Sequence, residues 1–319
     1  MKKITFLTCC IFFILSSHGQ IHSENVLVTN NKKFNKHISD NGDVIKMGIS
    51  SPDSSLVSPY ALIAGGSRGI GFAIAEALAK RGYNLILIAR NMDGLLAAKN
   101  KLEAAYRVHV DVLSYDLSRE ETASAIAAWC TQKSIPLKML CNVAGLGGDE
   151  DYLSLSLDSL RYMVRLNIES CMALSLTLLP LLEKNTPAYI LHVASMAGFA
   201  PIPSKNIYAA TKSAVISFSY SLRYQLKEKN ISVSCLAPGP VYTKPSIEKN
   251  TKEQLGWLGD AMSVKPARVG EVAVRKTLKG RPIIVPGTIA KILSGVLRVL
   301  PKRFVAWVYG KAGDRSSRK

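Results

Sequence analysis

Seven short, predominantly apolar runs, spaced along residues 60–285 and separated by stretches of helical periodicity, constrain this chain more than any other feature. They are Ala61–Ala64, Leu85–Ala89, Val108–Val112, Met139–Val143, Tyr189–Val193, Ile231–Leu236 and Ile283–Val285. A strand with one wet face alternates apolar and polar residues, whereas a run apolar at consecutive positions is buried on both faces. Such strands alternating with helices predict a doubly wound α/β domain, a parallel sheet with helices on each side. At 319 residues, 48% hydrophobic and 20% charged, the chain suits one such domain of ~250 residues with appendages, and disordered or collagen-like classes are excluded.

The first run leads into Gly65-Gly66-Ser67-Arg68-Gly69-Ile70-Gly71 and then a helix. Glycines suit a turn that must bend sharply and let backbone approach a pyrophosphate, with the helix N-terminus behind it supplying amide donors. The spacing differs from the standard Gly-x-Gly-x-x-Gly fingerprint, so its context of strand, turn and helix carries the reading of a Rossmann-type nucleotide site. A dinucleotide site that prefers NAD usually carries an acid at the end of its second strand, to hold the ribose 2′-hydroxyl. Here that strand ends Ala89-Arg90-Asn91, with Arg68 in the turn, and two guanidinium groups there favour a 2′-phosphate and hence NADP(H) over NAD(H).

Further along stand Ser195, at the end of a strand, and Tyr208-Ala209-Ala210-Thr211-Lys212. Tyr208 and Lys212 are four apart, on one face of a predicted helix. A phenol near pKa ~10 exchanges protons poorly at neutral pH until a neighbouring cation lowers it. Ser195 would hydrogen-bond a substrate oxygen and stabilise developing negative charge.

With these motifs in order, residues 58–287 resemble the short-chain dehydrogenase/reductase family. The resemblance rests on Gly65, Gly69 and Gly71, on Asp116-Leu117 and on Asn142-Val143-Ala144-Gly145. Asn167, Ser195, Tyr208, Lys212 and the Pro238-Gly239 turn complete it. It implies a hydride transfer between nicotinamide and a carbonyl or secondary alcohol. Tyr208 would be the proton donor in reduction, Lys212 would bind the nicotinamide ribose, Ser195 would polarise the carbonyl, and Asn167 would hold a water in a proton relay. It places Asp116, Leu117, Asn142, Ala144 and Gly145 on the adenine side, and Pro238, Gly239, Val241 and Thr243 at the nicotinamide end. Ser67, Arg68, Ile70, Arg90 and Asn91 complete the expected cofactor set, and a homodimer or homotetramer is usual for such a family. Two departures are Ala64, where the family often has threonine, and Val143, where a second asparagine is commoner.

The flanks carry their own signals. Lys2-Lys3, the apolar run Ile4–Leu15, and Ser17 and Gly19 form a signal peptide over residues 1–19 or an uncleaved anchor, the run being short for a bilayer span of ~20 residues. Either places the protein in the secretory pathway or on a membrane, and an anchor leaves the domain facing the cytosol. Residues 20–57 read as a polar linker, 58–288 as the catalytic domain and 289–319 as a basic amphipathic tail. The net charge of +18 is concentrated at the end: residues 265–319 carry 14 basic and 2 acidic side chains, against 21 and 17 in residues 60–264. A nucleic-acid binder would put that charge on its recognition fold, so an anionic membrane surface or an anionic ligand is the expected partner of the tail, and nucleic acid is not.

In the tail, Ile289, Ile292, Leu293, Val296, Leu297 and Leu300 follow helical spacing, with Phe304 and Trp307 beyond Pro301, a face that fits either a membrane interface or packing on the domain itself or on a partner subunit. Residues 244–265 read as a loop over the substrate, its Leu255, Trp257, Leu258 and Met262 suiting an apolar compound. Together with the tail, the Leu85–Ala89 run and the Tyr106–Val112 segment, the resemblance points to a branch near 3-oxoacyl and 17β-hydroxysteroid reductases. Cys130, Cys141, Cys171 and Cys235 sit singly in apolar runs and read as buried free thiols; neither disulfides nor a metal site is expected. Two other classes fit the same residues: a nucleotide-binding regulator without turnover, and a membrane-associated scaffold.

Overall fold

A computed structural model describes residues 58–147, 154–243, 247–248, 251 and 257–316. The signal or anchor and the linker therefore lie outside the described residues, as does most of the 244–256 part of the expected substrate loop. In chain order the first half runs β1 (Tyr60–Ala64), α1 (Gly69–Ala79), β2 (Asn84–Ala89), α2 (Met92–Ala105), β3 (Val110–Ser114), α3 (Thr122–Gln132), β4 (Leu137–Asn142), α4 (Leu157–Val164), α5 (Ser170–Thr177) and α6 (Leu179–Lys184). The second half runs β5 (Ala188–Val193), α7 (Asn206–Gln225), β6 (Ile231–Leu236), α8 (Trp257–Met262), α9 (Pro266–Leu278), β7 (Ile283–Ile284), α10 (Thr288–Val299) and α11 (Lys302–Ser316).

The strands form a seven-stranded sheet in the order β3-β2-β1-β4-β5-β6-β7, with parallel pairing throughout. The chain leaves β1 toward β2 on one side and returns to β4 on the other, so a topological switch point opens beyond the carboxyl ends of β1 and β4.

The pleat explains why the strands are apolar at consecutive positions. Ala61, Ile63, Leu85 and Leu87 join the cluster that includes Ile74 of α1, Leu95 of α2 and Val269 of α9. The alternate residues Leu62, Ala64, Ile86 and Ile88 join the opposite cluster, with Ile126 of α3 and Leu174 of α5. At ~25 cal/mol per Å² of apolar surface, burying both faces supplies most of the favourable folding free energy. Helices α1 and α9 approach closely, because a Cβ on Gly270 would lie 2.2 Å from the Ala73 carbonyl oxygen. Arg81, just beyond α1, clamps the pair with two bonds to Glu271, at 2.5 and 3.0 Å. The helix that begins at the glycine turn is thereby anchored along its length.

The third strand lies two residues later than the periodicity suggests, at Val110–Ser114 rather than Val108–Val112. It is a sheet edge, and apart from Val110 its residues are only partly covered or exposed, so hydrophobicity marks its ends weakly. The tail expected after residue 288 is helical. It forms two helices, and Ala290, Leu297 and Val305 are buried with Met196, Phe199 and Val285 in a third cluster. Among the described residues no helix is long and apolar enough to cross a membrane.

Candidate active site

The turn between β1 and α1 takes its shape from contacts that exclude side chains. Gly65 has φ +92°, and a Cβ there would lie 2.8 Å from the backbone nitrogen of Ala144. A Cβ on Gly71 would lie 1.9 Å from the Gly65 carbonyl oxygen. The amides of Val143 and Ala144 both donate to the Ala64 carbonyl, at 2.9 and 2.8 Å, tying the turn to the end of β4 across the switch point. The first turn of α1 has no side-chain cap: Arg68 occupies the N-cap position without bonding back, so these amides are available to an anion. Ser67 lies beside Gly94 of α2, Arg68 is exposed, and Ile70 packs partly into the core. A cradle that a Cβ would fill, behind uncapped amides, fits a dinucleotide pyrophosphate.

At the end of β2, Arg90 is exposed and donates to the Tyr162 hydroxyl at 2.6 Å, with its guanidinium 5.7 Å from the Tyr162 ring centroid. Asn91 is used locally, its side chain accepting from the Gly94 amide at 2.9 Å to cap α2. Asp116 accepts from the Ser118 amide and hydroxyl, at 3.0 and 2.7 Å. Burial works against its ionisation, but these bonds, with Arg90 and Arg119 nearby, hold its carboxyl below the ordinary range. Leu117 beside it is buried.

Asn142 is turned into the core. Its amide donates to the Cys171 carbonyl and the Ser175 hydroxyl, at 3.3 and 3.1 Å, and the polar chain continues from Ser175 through His192 to Ser219. Its place is that of a tether between β4 and α5. Burial drives the His192 imidazole down to about 3, so the ring is neutral.

The second half of the site centres on α7. Lys212 is 4% exposed, and its ammonium donates to the Val193 carbonyl at 3.0 Å, at the end of β5. It lies 5.8 Å from the ring centroid of Tyr208, one turn earlier. Burial lowers the Lys212 ammonium to about 8, so it remains largely charged at neutral pH. Gly145 makes room for this arrangement, since a Cβ there would lie 3.0 Å from Lys212 Nζ and 3.2 Å from Asn167 Oδ1. Asn167 is buried in a π-helical turn, Arg165–Glu169, inserted between α4 and α5. Its Oδ1 accepts from the Leu146 amide at 2.7 Å, and its Nδ2 donates to the Leu146 carbonyl and to Thr211 Oγ1, at 2.9 and 3.0 Å.

Ser195 follows β5, and its hydroxyl oxygen accepts from the Ala197 amide at 3.2 Å. The next residue, Met196, donates to the Pro238 carbonyl at 3.0 Å, joining this segment to the turn after β6. Space at Gly239 is bounded by Met196 Sδ and the Met262 carbonyl, Val241 is buried, and the Thr243 methyl lies where a Cβ on Gly69 would reach within 3.3 Å. The loop after β6 thus runs from the serine to the phosphate turn.

The structure therefore gathers Gly65–Gly71, Ala144, Gly145, Asn167, Ser195, Tyr208, Lys212 and Pro238–Thr243 about the carboxyl ends of the central strands through the contacts above, with Arg90 and Asp116 on the β2–β3 side. Thr211 and Tyr162 join it without having been singled out. Thr211 lies inside the Tyr208–Lys212 spacing and its hydroxyl donates to the Tyr208 carbonyl at 2.8 Å, so helical geometry contained the signal. Tyr162 had none, its meeting with Arg90 being purely tertiary. In the substrate loop, residues 257–262 form α8 and Met262 is buried, while Leu255 lies outside the described residues. The four core cysteines are buried free thiols, and no group of metal-ligating residues occurs among the described residues.

The profile of the short chain dehydrogenase family matches residues 59–254. Very-long-chain 3-oxoacyl-CoA reductase of Mus musculus is 30% identical over 215 residues, covering 63% of this chain and 68% of that protein. The 3-oxoacyl-[acyl-carrier-protein] reductase of Bos taurus is 29% identical over 212 residues, covering 64% and 87%. Among solved structures, L-sorbose reductase from Gluconobacter frateurii, complexed with NADPH and L-sorbose, superposes with a TM-score of 0.64 at 25% identity, over 72% of this chain and 96% of that one.

Proposed function

Given that the chain belongs to the short-chain dehydrogenase family and is an oxidoreductase acting on a carbonyl or its alcohol, we propose that it reduces an apolar 3-oxoacyl or ketosteroid compound with NADPH. The observation that carries this reading is the buried Lys212 ammonium, one helical turn from Tyr208 and facing the strand end that bears Ser195.

The residues divide the work as follows. Gly65–Gly71 and the first-turn amides of α1 would hold the pyrophosphate, Arg90 and Arg68 the 2′-phosphate, and Lys212 the nicotinamide ribose. NADPH supplies a hydride to the carbonyl carbon when bound. The oxygen that becomes negative in that step needs a proton, and Tyr208 would donate it. The Lys212 charge stabilises the resulting phenolate, its strength raised by the dry surroundings. Ser195 accepts from Ala197 N, which leaves its own O–H to donate to the substrate oxygen. Asn167 acts by position: its amide straps the Ala144–Leu146 segment to α7 through Leu146 and Thr211.

Two features support the finer choices. For the cofactor, β2 ends without an acid and Arg90 stands exposed; for the substrate, the Met196 thioether and the Ala290 methyl lie beside Gly239, and a relative at 30% identity is a very-long-chain 3-oxoacyl-CoA reductase. The test is a fluorescence titration with NADPH and NADH, followed by NADPH oxidation on a 3-oxoacyl thioester, a ketosteroid and a small diketone. Tyr208→Phe should bind NADPH like the parent and lose ~10²–10⁴ in turnover. Tighter NADH binding would refute the cofactor choice, and NADPH binding without turnover on all three would favour a regulator.

A further inference from the structure

The C-terminal helices bury one face each and leave another, equally apolar, uncovered. On α10 the buried positions are Ala290, Ser294 and Leu297, whereas Ile289, Ile292, Val296 and Val299 are 43%, 65%, 46% and 85% exposed. Their spacing of three, four and three residues puts them on one stripe. On α11 Val305 is buried, while Phe304, Trp307 and Val308 are 49%, 59% and 42% exposed. The Phe304 and Trp307 rings stack with centroids 6.1 Å apart. Scattered apolar side chains on a surface need no account, but seven on two consecutive helices do.

Charge selects the occupant. From residue 288 to the end the chain has eight basic residues, Lys291, Arg298, Lys302, Arg303, Lys311, Arg315, Arg318 and Lys319, and one acidic residue, Asp314. A second copy packed face to face would set these eight cations against their own equivalents with one carboxylate per copy to pair them. An anionic bilayer offers apolar depth for the stripe and negative headgroups for its rim.

The hairpin is also attached to the catalytic segment. Helix α10 packs on residues 196–199, directly after Ser195, and α11 packs on residues 203–205, directly before Tyr208. The Arg298 guanidinium lies 4.3 Å from the centroid of the Phe199 ring, and Lys302 Nζ donates to the Phe199 carbonyl at 2.6 Å. These two side chains are spent on the fold, leaving Lys291 and Arg303, both exposed, among the cations facing outward.

We propose that the exposed stripe of α10 and α11 docks on an anionic phospholipid surface, and that docking holds the Ser195–Tyr208 segment at the bilayer interface. Delivery of an apolar carbonyl compound out of the bilayer follows only if the reductase reading holds; the docking stands without it.

The test uses the full chain with vesicles of phosphatidylcholine, with or without phosphatidylserine, carrying brominated acyl chains that quench nearby indoles. Trp129 and Trp257 also emit, so the Trp307 signal is the difference between the parent and Trp307→Phe. Quenching of Trp307 is expected with phosphatidylserine present, declining as salt is raised. It should be lost in Ile292→Glu/Val299→Glu, whose two positions are too exposed to disturb the core. An unquenched Trp307, or equal quenching in the double variant, overturns the proposal. So does a change in sedimentation velocity between parent and double variant without lipid, which would make the stripe an interface between copies. No readout needs turnover, so failure here and failure of the reductase reading are separable.

Discussion

Replacing Lys212 by methionine should abolish turnover and, at neutral pH, make the cofactor-free protein more stable. The lysine is almost fully buried, no carboxylate among the described residues pairs with it, and its ammonium is held by the Val193 carbonyl. Burial lowers its pKa from 10.5 to about 8. At ~1.4 kcal/mol per pH unit, keeping the proton in the folded state costs about 3 kcal/mol. Methionine has a similar length and removes that cost, while leaving the Val193 carbonyl one partner short returns ~1 kcal/mol. A net gain of about 2 kcal/mol remains.

The sign with pH follows from which state binds the proton. Below pH 8 both states are charged and the folded parent bears the whole penalty. Between pH 8 and 10.5 the unfolded chain is still protonated but the folded one is not, so the parent gains stability as pH rises and the advantage of the variant shrinks. Urea unfolding of parent and Lys212→Met at pH 7 and about pH 10 measures both quantities. A parent at least as stable as the variant at pH 7, or a gap that does not change with pH, would refute the reasoning.

Three more expectations rest on single contacts. Gly71→Ala puts a methyl 1.9 Å from the Gly65 carbonyl oxygen, so the turn must shift; a loss of ~1–3 kcal/mol in stability and a weaker NADPH titration are expected. His192 stays neutral down to about pH 3 while the unfolded imidazole takes a proton below 6.5, so stability is lost as pH falls through that window at ~1.4 kcal/mol per unit. His192→Gln should flatten this acid slope in urea midpoints measured from pH 7 to 4.5. Thr211→Val leaves the Asn167 amide without one partner, so kcat should fall with little change in KM, and Thr211→Ser should restore it.

The parallel sheet was legible because both its faces are buried, which writes the central strands β1 and β2 as consecutive apolar runs. Its boundary failed where burial fails, at the edge strand β3, which the chain covers poorly beyond Val110. Within the site, the glycine turn and the Tyr208–Lys212 pair could be read because each is a local spacing with a local physical cause. The π-helical turn that presents Asn167 could not, since its extra residue is accommodated by packing rather than announced by composition. Asn91 shows a different limit: the same side chain suits a ribose or a helix cap, and here it caps α2. The inner face of the tail was not legible for a related reason. Leu297 goes inward with Ala290 and Ser294, while Ile289, Ile292 and Val296 stay outside. A helix apolar around more than half its girth has no single inner face until Met196 and Phe199 choose one.

The pleat that sends alternate strand residues to opposite helical layers also sets which substitutions feel one another. Leu87 and Ile88 are neighbours in the chain but belong to different clusters, so truncating both should cost the sum of the separate losses. Leu87 and Ile63 are twenty-four positions apart, yet they are register partners on one face, and a Cβ at Gly66 would touch both. Measured double-mutant cycles should show coupling there and none between Leu87 and Ile88. Compensating changes in this protein would then spread across strands and hardly ever along them, giving its core two nearly independent histories on either side of a single sheet.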